Sequence, residues 1–445
     1  MKTVLVFAHE CAPYHRREST AGAQRPAAFA KYLPEHGWRA IVLCCARDER
    51  GTALWGDLER VGERAAAALD ATPPAESAVI PTPSLAHHGA LDRLWRHLTA
   101  TPSRSRLRLH LRKMVTAVKI FDGDYSSAWR PCAEAAAAAI AARQHVHAVI
   151  AEHSPDASLF LARWFCGLDR TPWLVDFRDP ILAPFRQPLR SMYRPFARWL
   201  VEHAAGTINV NPILADADSC LFGKPSWSIP NGFDPEEFDH ESARSRDALT
   251  ITYLGNIIPE QDLDVFLEGL ALALRRDPHE PGEPPRLLFV YRGLADRFVS
   301  DRVRRAGLAE HADVSGYVPR SEALRLMLGA DLLLALSARD AQRHNHHLRH
   351  GVVPAKVFEY LGARRPILNV PGDAGLLDAL VEETGAGVTL SSPREIAAYL
   401  TRLAAMKDEA AAPAAAVDGR RILRYSRAFQ AGQLAKILDD IVSPP

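Results

Sequence analysis

The chain has 445 residues, with 54 Lys and Arg against 53 Asp and Glu (net +1), and is 47% hydrophobic and 24% charged. That balance argues against a nucleic-acid partner, which calls for a basic excess, and against an acidic disordered chain. The length suits two or three domains of roughly 150–200 residues, and no apolar run nears the roughly 20 residues that cross a bilayer.

Met1-Lys2-Thr3 leads into Val4–Ala8, a short apolar run soon followed by Glu10, His15, Arg16 and Arg17, so it reads as a first strand and not as a signal peptide. Gly22-Ala23-Gln24-Arg25 follows without completing G-x-G-x-x-G, which argues against an NAD site. Further strands are predicted over Ala40–Cys45, Ala148–Ala151, Trp173–Phe177, Thr207–Asn211 and Trp227–Ile229, with Ala- and Leu-rich helices between them. Arg93–Lys119 is basic, with Trp95, Leu98, Leu107, Leu109, Leu111, Met114 and Val118 interleaved, and reads as an insertion near 85–125. It suits either a solvated helix or peripheral contact with an anionic membrane. His153 ends a strand in Ala151-Glu152-His153-Ser154-Pro155, where it either faces a sugar or is structural. Asp176, Arg178 and Asp179 follow the next strand, where open α/β sheets bind ligands; a loop salt bridge is the other reading. Asp216-Ala217-Asp218 imitates a metal motif but falls in a helical stretch, and Asn231-Gly232 marks a turn at the exit of the first domain.

The β-α alternation restarts near residue 249, after the charged stretch Pro235–Asp247. Strands are predicted over Leu249–Gly255, Arg286–Tyr291, Asp331–Leu336, Pro366–Val370 and Gly387–Leu390. Gly255-Asn256 and Arg292-Gly293 end two of them; the glycines would admit a ligand close to the backbone, and Arg292 could pair with phosphate. The group His344, His346, His347 and His350 lacks a clean metal-ligand spacing and reads as a polar loop. Gly351-Val352-Val353-Pro354-Ala355-Lys356-Val357-Phe358-Glu359-Tyr360 carries the strongest local signal. Pro354 suits a helix start, whose backbone N–H groups hold anions. Lys356 adds charge there, and Glu359, three residues on, could accept both hydroxyls of a ribose; an ordinary Lys–Glu surface pair fits equally. Tyr425–Val442 has the period of an amphipathic helix. Six cysteines without C-x-x-C spacing suit a reducing cytoplasm, and neither a Walker loop nor a G-x-S-x-G elbow occurs. The expected fold class is α/β, with two doubly wound domains: 1–235 and 248–424, then a tail over 425–445.

Taken in order, these segments resemble a family 4 glycosyltransferase of the GT-B fold over most of the chain. The carriers are the Gly22 loop and the helix to His36-Gly37, Val175–Pro180, Ile229–Asp234, Tyr253–Asn256, Val314–Val318 with Ala330-Asp331, and Pro354–Tyr360 with Arg365–Leu368. The resemblance implies two Rossmann-like domains facing a central cleft, with the last helix crossing back to the first. It implies metal-independent transfer, with retention of configuration, from a nucleotide-sugar (UDP- or GDP-linked) to a lipid-linked or small-molecule acceptor. No other cofactor is implied. On this likeness Gly351, Val352, Val353 and Lys356 lie by the pyrophosphate and Glu359 holds the ribose. Gly22 and Ala23 approach from the other domain, His153 faces the donor sugar, and Asp176, Arg178 and Asp179 line the acceptor side. Two departures stand out: Gly351 replaces the first glutamate of the family's E-x7-E pair, and Asn256–Asp262 lacks its Arg and Lys. Arg292 or Lys356 is expected to supply that charge. A nucleotide-sugar epimerase of the same fold and a non-catalytic nucleotide-sugar-binding protein remain as alternatives.

Overall fold

A computed structural model describes residues 1–14, 21–46, 48–86, 89–100, 105–119, 121, 124–182, 185, 187–238, 248–258, 261–275, 285–337, 353–408 and 419–443. The histidines of 344–350 and the expected phosphate neighbours Gly351 and Val352 lie outside the described residues. The strands are β1 (Lys2–Phe7), β2 (Trp38–Cys45), β3 (Ala78–Thr82), β4 (Ala148–His153), β5 (Trp173–Phe177), β6 (Gly206–Asn209) and β7 (Ser226–Ser228), then β8 (Leu249–Leu254), β9 (Leu287–Arg292), β10 (Ala312–Ser315), β11 (Leu332–Leu336), β12 (Ile367–Val370) and β13 (Gly387–Thr389). The helices are α1 (Ala21–Tyr32), α2 (Leu58–Asp70), α3 (Ala90–Ala100), α4 (Arg106–Lys119), α5 (Arg130–Ala141), α6 (Ala157–Asp169), α7 (Leu189–Val201) and α8 (Pro212–Phe222), then α9 (Leu263–Leu274), α10 (Asp296–Arg305), α11 (Arg320–Gly329), α12 (Ala355–Ala363), α13 (Leu376–Thr384), α14 (Pro393–Asp408), α15 (Gly419–Ile422) and α16 (Arg427–Val442).

Residues 1–231 with 427–445 form one unit and residues 232–426 the other. The first holds a parallel sheet ordered β3-β2-β1-β4-β5-β6-β7, the second one ordered β10-β9-β8-β11-β12-β13. Each order reverses at one point, β1/β4 and β8/β11, the doubly wound pattern whose ligands sit beyond the carboxyl ends of the strands.

Both faces of each sheet are buried, which is why the inner strands read as continuous apolar runs. In the first unit Leu5 and Phe7 point into a layer with Trp129, Ile140 and Phe165 of the α5–α6 side. Their neighbours Val4 and Val6 point the other way, against Phe29, Leu33, Leu434 and Leu438. The last helix, α16, therefore packs on the first unit, where Asp439 accepts hydrogen bonds from Lys2 Nζ at 2.8 Å and Trp38 Nε1 at 3.2 Å. In the second unit Tyr253, Phe289 and Leu334 pack with Phe266, Val299 and Leu400, while Leu333 and Ile367 pack with Val357, Tyr360 and Leu377.

Two strands, β3 and β10, fall outside the segments predicted as strands, and both are sheet edges. Strand β3 contains Pro81, tolerated at an edge because no ladder donor is needed there. Strand β10 has no buried residue, so it lacks the apolar run that marks an inner strand.

Candidate functional site

In the second unit the residues of interest gather where α12 begins. Pro354 precedes the helix with φ −59° and ψ 136°, and Lys356 occupies its first turn. The Lys356 ammonium reaches back to the end of β8. It donates to Tyr253 Oη at 2.5 Å and to the Asn256 carbonyl at 3.2 Å, and lies 3.8 Å from the centroid of the Tyr253 ring. Burial pushes its pKa down to about 7, against the opposing pull of Glu359. The Tyr253 phenol, which is fully buried, is held well above its ordinary range by that burial and stacks on Tyr291 at 5.9 Å.

Gly255 has φ 104°, and a side chain there would meet Lys356 Nζ at 3.3 Å. Gly293 is tighter still: a Cβ would stand 2.2 Å from the Gly255 carbonyl oxygen. The two glycines bring the ends of β8 and β9 together, and Asn256 Oδ1 ties the turn by accepting from Leu294 N at 3.1 Å. Val353 is half-buried and packs against the α12 side of the core.

Glu359, one turn beyond Lys356, accepts from Arg320 Nη1 at 2.8 Å, while Arg320 Nε donates to Glu237 at 2.7 Å. Burial works against the charge on Arg320, but the bond to Glu237 and the nearby Glu359 carboxylate hold it firmly protonated. Arg292 does not join this group. Its guanidinium turns onto Asp313 of the neighbouring strand, with contacts of 2.7 and 3.1 Å. Of the two cations considered for the missing positive charge, Lys356 therefore stands by the β8 turn and Arg292 is engaged at the sheet edge.

In the first unit a second polar cluster lies at the carboxyl ends of β4, β5 and β6. His153 is buried; its Nε2 lies 2.8 Å from Asp156 Oδ1, and Tyr193 donates its hydroxyl to the other oxygen of Asp156. His153 Nδ1 has no hydrogen-bond partner among the described residues. The edge of Phe177 abuts the ring at 5.3 Å. Asp176 faces inward: both its oxygens are held by the fully buried Arg25, at 2.7 and 3.0 Å, and Arg25 also donates to the Pro230 carbonyl at 2.9 Å. Of the residues expected on the acceptor side, Asp176 is thus part of the framework, the exposed Asp179 faces solvent, and Arg178 lies between them.

Arg178 donates to the Ser154 carbonyl at 2.7 Å and stands 3.4 Å from Glu152. It also explains Gly22. A Cβ at Gly22 would fall 1.5 Å from Arg178 Nη1, so the start of α1 is pared down to admit the guanidinium. The neighbouring Ala23 is buried, and its carbonyl accepts from Ala12 N at 2.9 Å. Glu152 is buried with both oxygens lacking hydrogen bonds among the described residues. Burial pushes its carboxyl up to about 8, against the attraction of Arg178. Asp218, on α8, accepts from Asn209 Nδ2 at 2.6 Å, and burial pushes it up to about 7. The imitation metal motif is thus one inward and one outward aspartate on a helix, and among the described residues no group of His, Cys, Asp or Glu is placed to hold a metal ion.

The structure thus brings Gly22, His153, Asp176 and Arg178 to one end of the first sheet, and Gly255, Asn256, Gly293, Lys356 and Glu359 to one end of the second. Arg25, Glu152, Asp156 and Tyr193 complete the first group, and Tyr253, Arg320 and Glu237 the second. No sequence spacing announces these additions, although Arg320 does follow the helix-starting Pro319.

No protein-family model matches the sequence, and neither does any curated protein. Solved structures do, and the two sheets with the returning helix are those of the GT-B fold. HepE from Anabaena, crystallised with UDP and glucose, is 14% identical with a TM-score of 0.55, the match covering 99% of this chain and 100% of that one. The sucrose-phosphate synthase of Thermosynechococcus elongatus is 13% identical with a TM-score of 0.57, covering 98% of this chain and 99% of that one. The N-terminal domain of trehalose-6-phosphate phosphatase from Candida albicans is 12% identical with a TM-score of 0.60, covering 99% of this chain and 97% of that one. At these identities the likeness is one of fold.

Proposed function

We infer that the protein is a glycosyltransferase that moves a sugar from a nucleotide-diphosphate sugar to an acceptor, retaining the anomeric configuration and using no divalent metal. The observation that carries this reading is the first turn of α12. It combines a half-buried cation, a carboxylate one turn further on and the end of β8, on a fold shared with a UDP-bound protein. Lys356 and the backbone N–H groups of the helix start would hold the diphosphate, and Glu359, oriented by Arg320, the ribose. Charge developing on the departing diphosphate is then met by a fixed cation in a poorly solvated site. That diphosphate oxygen can take the proton of the acceptor hydroxyl as the new glycosidic bond forms, so no separate protein base is required. In the first unit, Asp156 and Tyr193 hold His153 in one orientation, and its Nδ1 would bond to the sugar. Arg178, with Glu152 and Asp179, is assigned to the acceptor.

Gly351 in place of the family's first glutamate gives the alternatives a specific motive. The protein, incubated with UDP-, GDP-, dTDP- and ADP-sugars with and without acceptor, separates them. Product that forms only with acceptor supports transfer. A changed sugar without acceptor identifies an epimerase, and binding without turnover identifies a sensor. UDP- and GDP-sugars are expected to work best, and cytoplasmic action on a soluble or lipid-linked acceptor follows from the same reading.

A further inference from the structure

In the first unit, Glu152 and Arg178 both carry polar atoms whose bonding capacity is unmet. The Glu152 side chain, at the end of β4, is 2% exposed, and neither of its oxygens is hydrogen-bonded among the described residues. Arg178 Nε stands 3.4 Å from it and likewise makes no hydrogen bond there. Buried polar atoms without partners are uncommon and call for an occupant or a role. The other groups that face Glu152 are Asp176 of β5, Arg25 of α1, and Glu10 and Cys11 of the segment after β1. Asp176 is already matched by Arg25, at 2.7 and 3.0 Å. Burial foremost, with repulsion from Asp176 and Glu10, pushes the Glu152 carboxyl up to about 8 against the pull of Arg178 and Arg25. At neutral pH it is therefore an acid with a proton to donate, and it leaves the charge of Arg178 uncancelled. Glu10 and Asp179 also attract Arg178, but Asp179 is exposed, where solvent screens it. The Arg178 side chain keeps 17% exposure, so one edge of it is open to a ligand.

We propose that Arg178 and Glu152 form a receptor for an anionic group on the acceptor, a carboxylate or a phosphate, and that Glu152 sets this specificity. Both residues donate, the guanidinium through its N–H groups and the protonated carboxyl through its O–H. A group that satisfies both has to accept from each, and an oxyanion does so while also answering the charge, which a neutral sugar hydroxyl does not. Ionisation of Glu152 reverses the arrangement. The carboxylate then pairs with Arg178 and repels the ligand, so anion binding belongs to the pH range below about 8. The inference rests on the first unit holding the acceptor. Its test is binding alone, with no donor present, so it stands or falls apart from the transfer reaction.

Calorimetric titration of the full-length protein with glucose, glucuronate and glucose 6-phosphate tests it. At about pH 7.5 at least one of the two anions should bind about tenfold or more tightly than glucose, and which one does so tells carboxylate from phosphate. Between about pH 7.5 and 9.5 neither anion changes its charge appreciably, since carboxylates titrate near pH 4 and phosphate monoesters near pH 6. Over that range the wild type should lose about tenfold or more in affinity for the anion as Glu152 ionises. Glu152→Gln, which is neutral throughout and close in shape, should bind the anion without that loss. Arg178→Gln should weaken binding about tenfold or more at the lower pH, whereas an anion held elsewhere, such as beside Lys356, would be unaffected. Should Arg178→Gln fail to fold, the pH dependence of Glu152→Gln still decides the matter. Anions that bind no more tightly than glucose would overturn the proposal, as would no binding of any of the three. So would binding that a folded Arg178→Gln leaves intact, or a pH dependence that Glu152→Gln retains.

Discussion

Lys356 is the side chain on which most depends. Its folded pKa near 7 lies well below the roughly 10.4 of an exposed lysine, so between those values the unfolded chain binds more protons than the folded one. Stability should therefore rise with pH across that window, by at most about 1.4 kcal/mol per unit, and Lys356→Met should remove this part of the rise. Urea midpoints of both proteins at about pH 7 and pH 9 read the difference directly. Donor affinity should run the other way, weakening as the ammonium loses its proton, and Lys356→Ala should lower turnover about tenfold or more. In the first unit Asp176→Ala would leave Arg25 buried without its carboxylate, which should destabilise the protein by about 3–5 kcal/mol; chemical denaturation measures it. Lys356 and Glu359 were legible as a motif because they share one helical turn. The partners that give them their chemistry were not: Arg320 lies 39 residues from Glu359 and 83 from Glu237, and Tyr253 lies 103 from Lys356. Asp176 shows the same limit from the other side, since only the fold reveals that Arg25, 151 residues away, already holds it.

At the level of elements, the strand ends are built by close backbone approach. Gly293→Ala would force its Cβ onto the Gly255 carbonyl, and with it the turn that Lys356 touches. It should cost about 1–3 kcal/mol and weaken donor binding together with stability, which thermal unfolding with and without UDP would show. Gly22→Ala should act differently, since its Cβ meets the end of a side chain, and Arg178 can swing aside. Stability should then hold while acceptor-dependent turnover falls, seen as a change in acceptor KM. The inner strands were legible because burial on both faces makes them apolar throughout. The edge strands β3 and β10 were not, because Pro81 and the exposed residues of Ala312–Ser315 carry no such pattern. Helix α16 was legible as an amphipathic helix. Its apolar face goes to Val4, Val6 and Trp38, so a chain shortened before Arg427 would expose that face and should lose stability sharply.

At the scale of the molecule, β-α alternation that restarts near residue 249 was sufficient to call for two doubly wound sheets, and the strand orders bear this out. Doubly wound folds carry many chemistries, so function has to rest on the site. Here that means the first turn of α12 in the second unit and the His153–Arg178 cluster in the first. The sugar and the acceptor of the proposed reaction leave no comparable mark, because such groups are chosen by side-chain shape and not by a spacing. Calorimetric titration of UDP and GDP into the wild-type protein and into Lys356→Ala and Glu359→Gln tests the central claim. A nucleoside diphosphate should bind the wild type and bind each variant about tenfold more weakly, close to 1.4 kcal/mol. Absence of binding to the wild type, or equal binding by all three proteins, would contradict it.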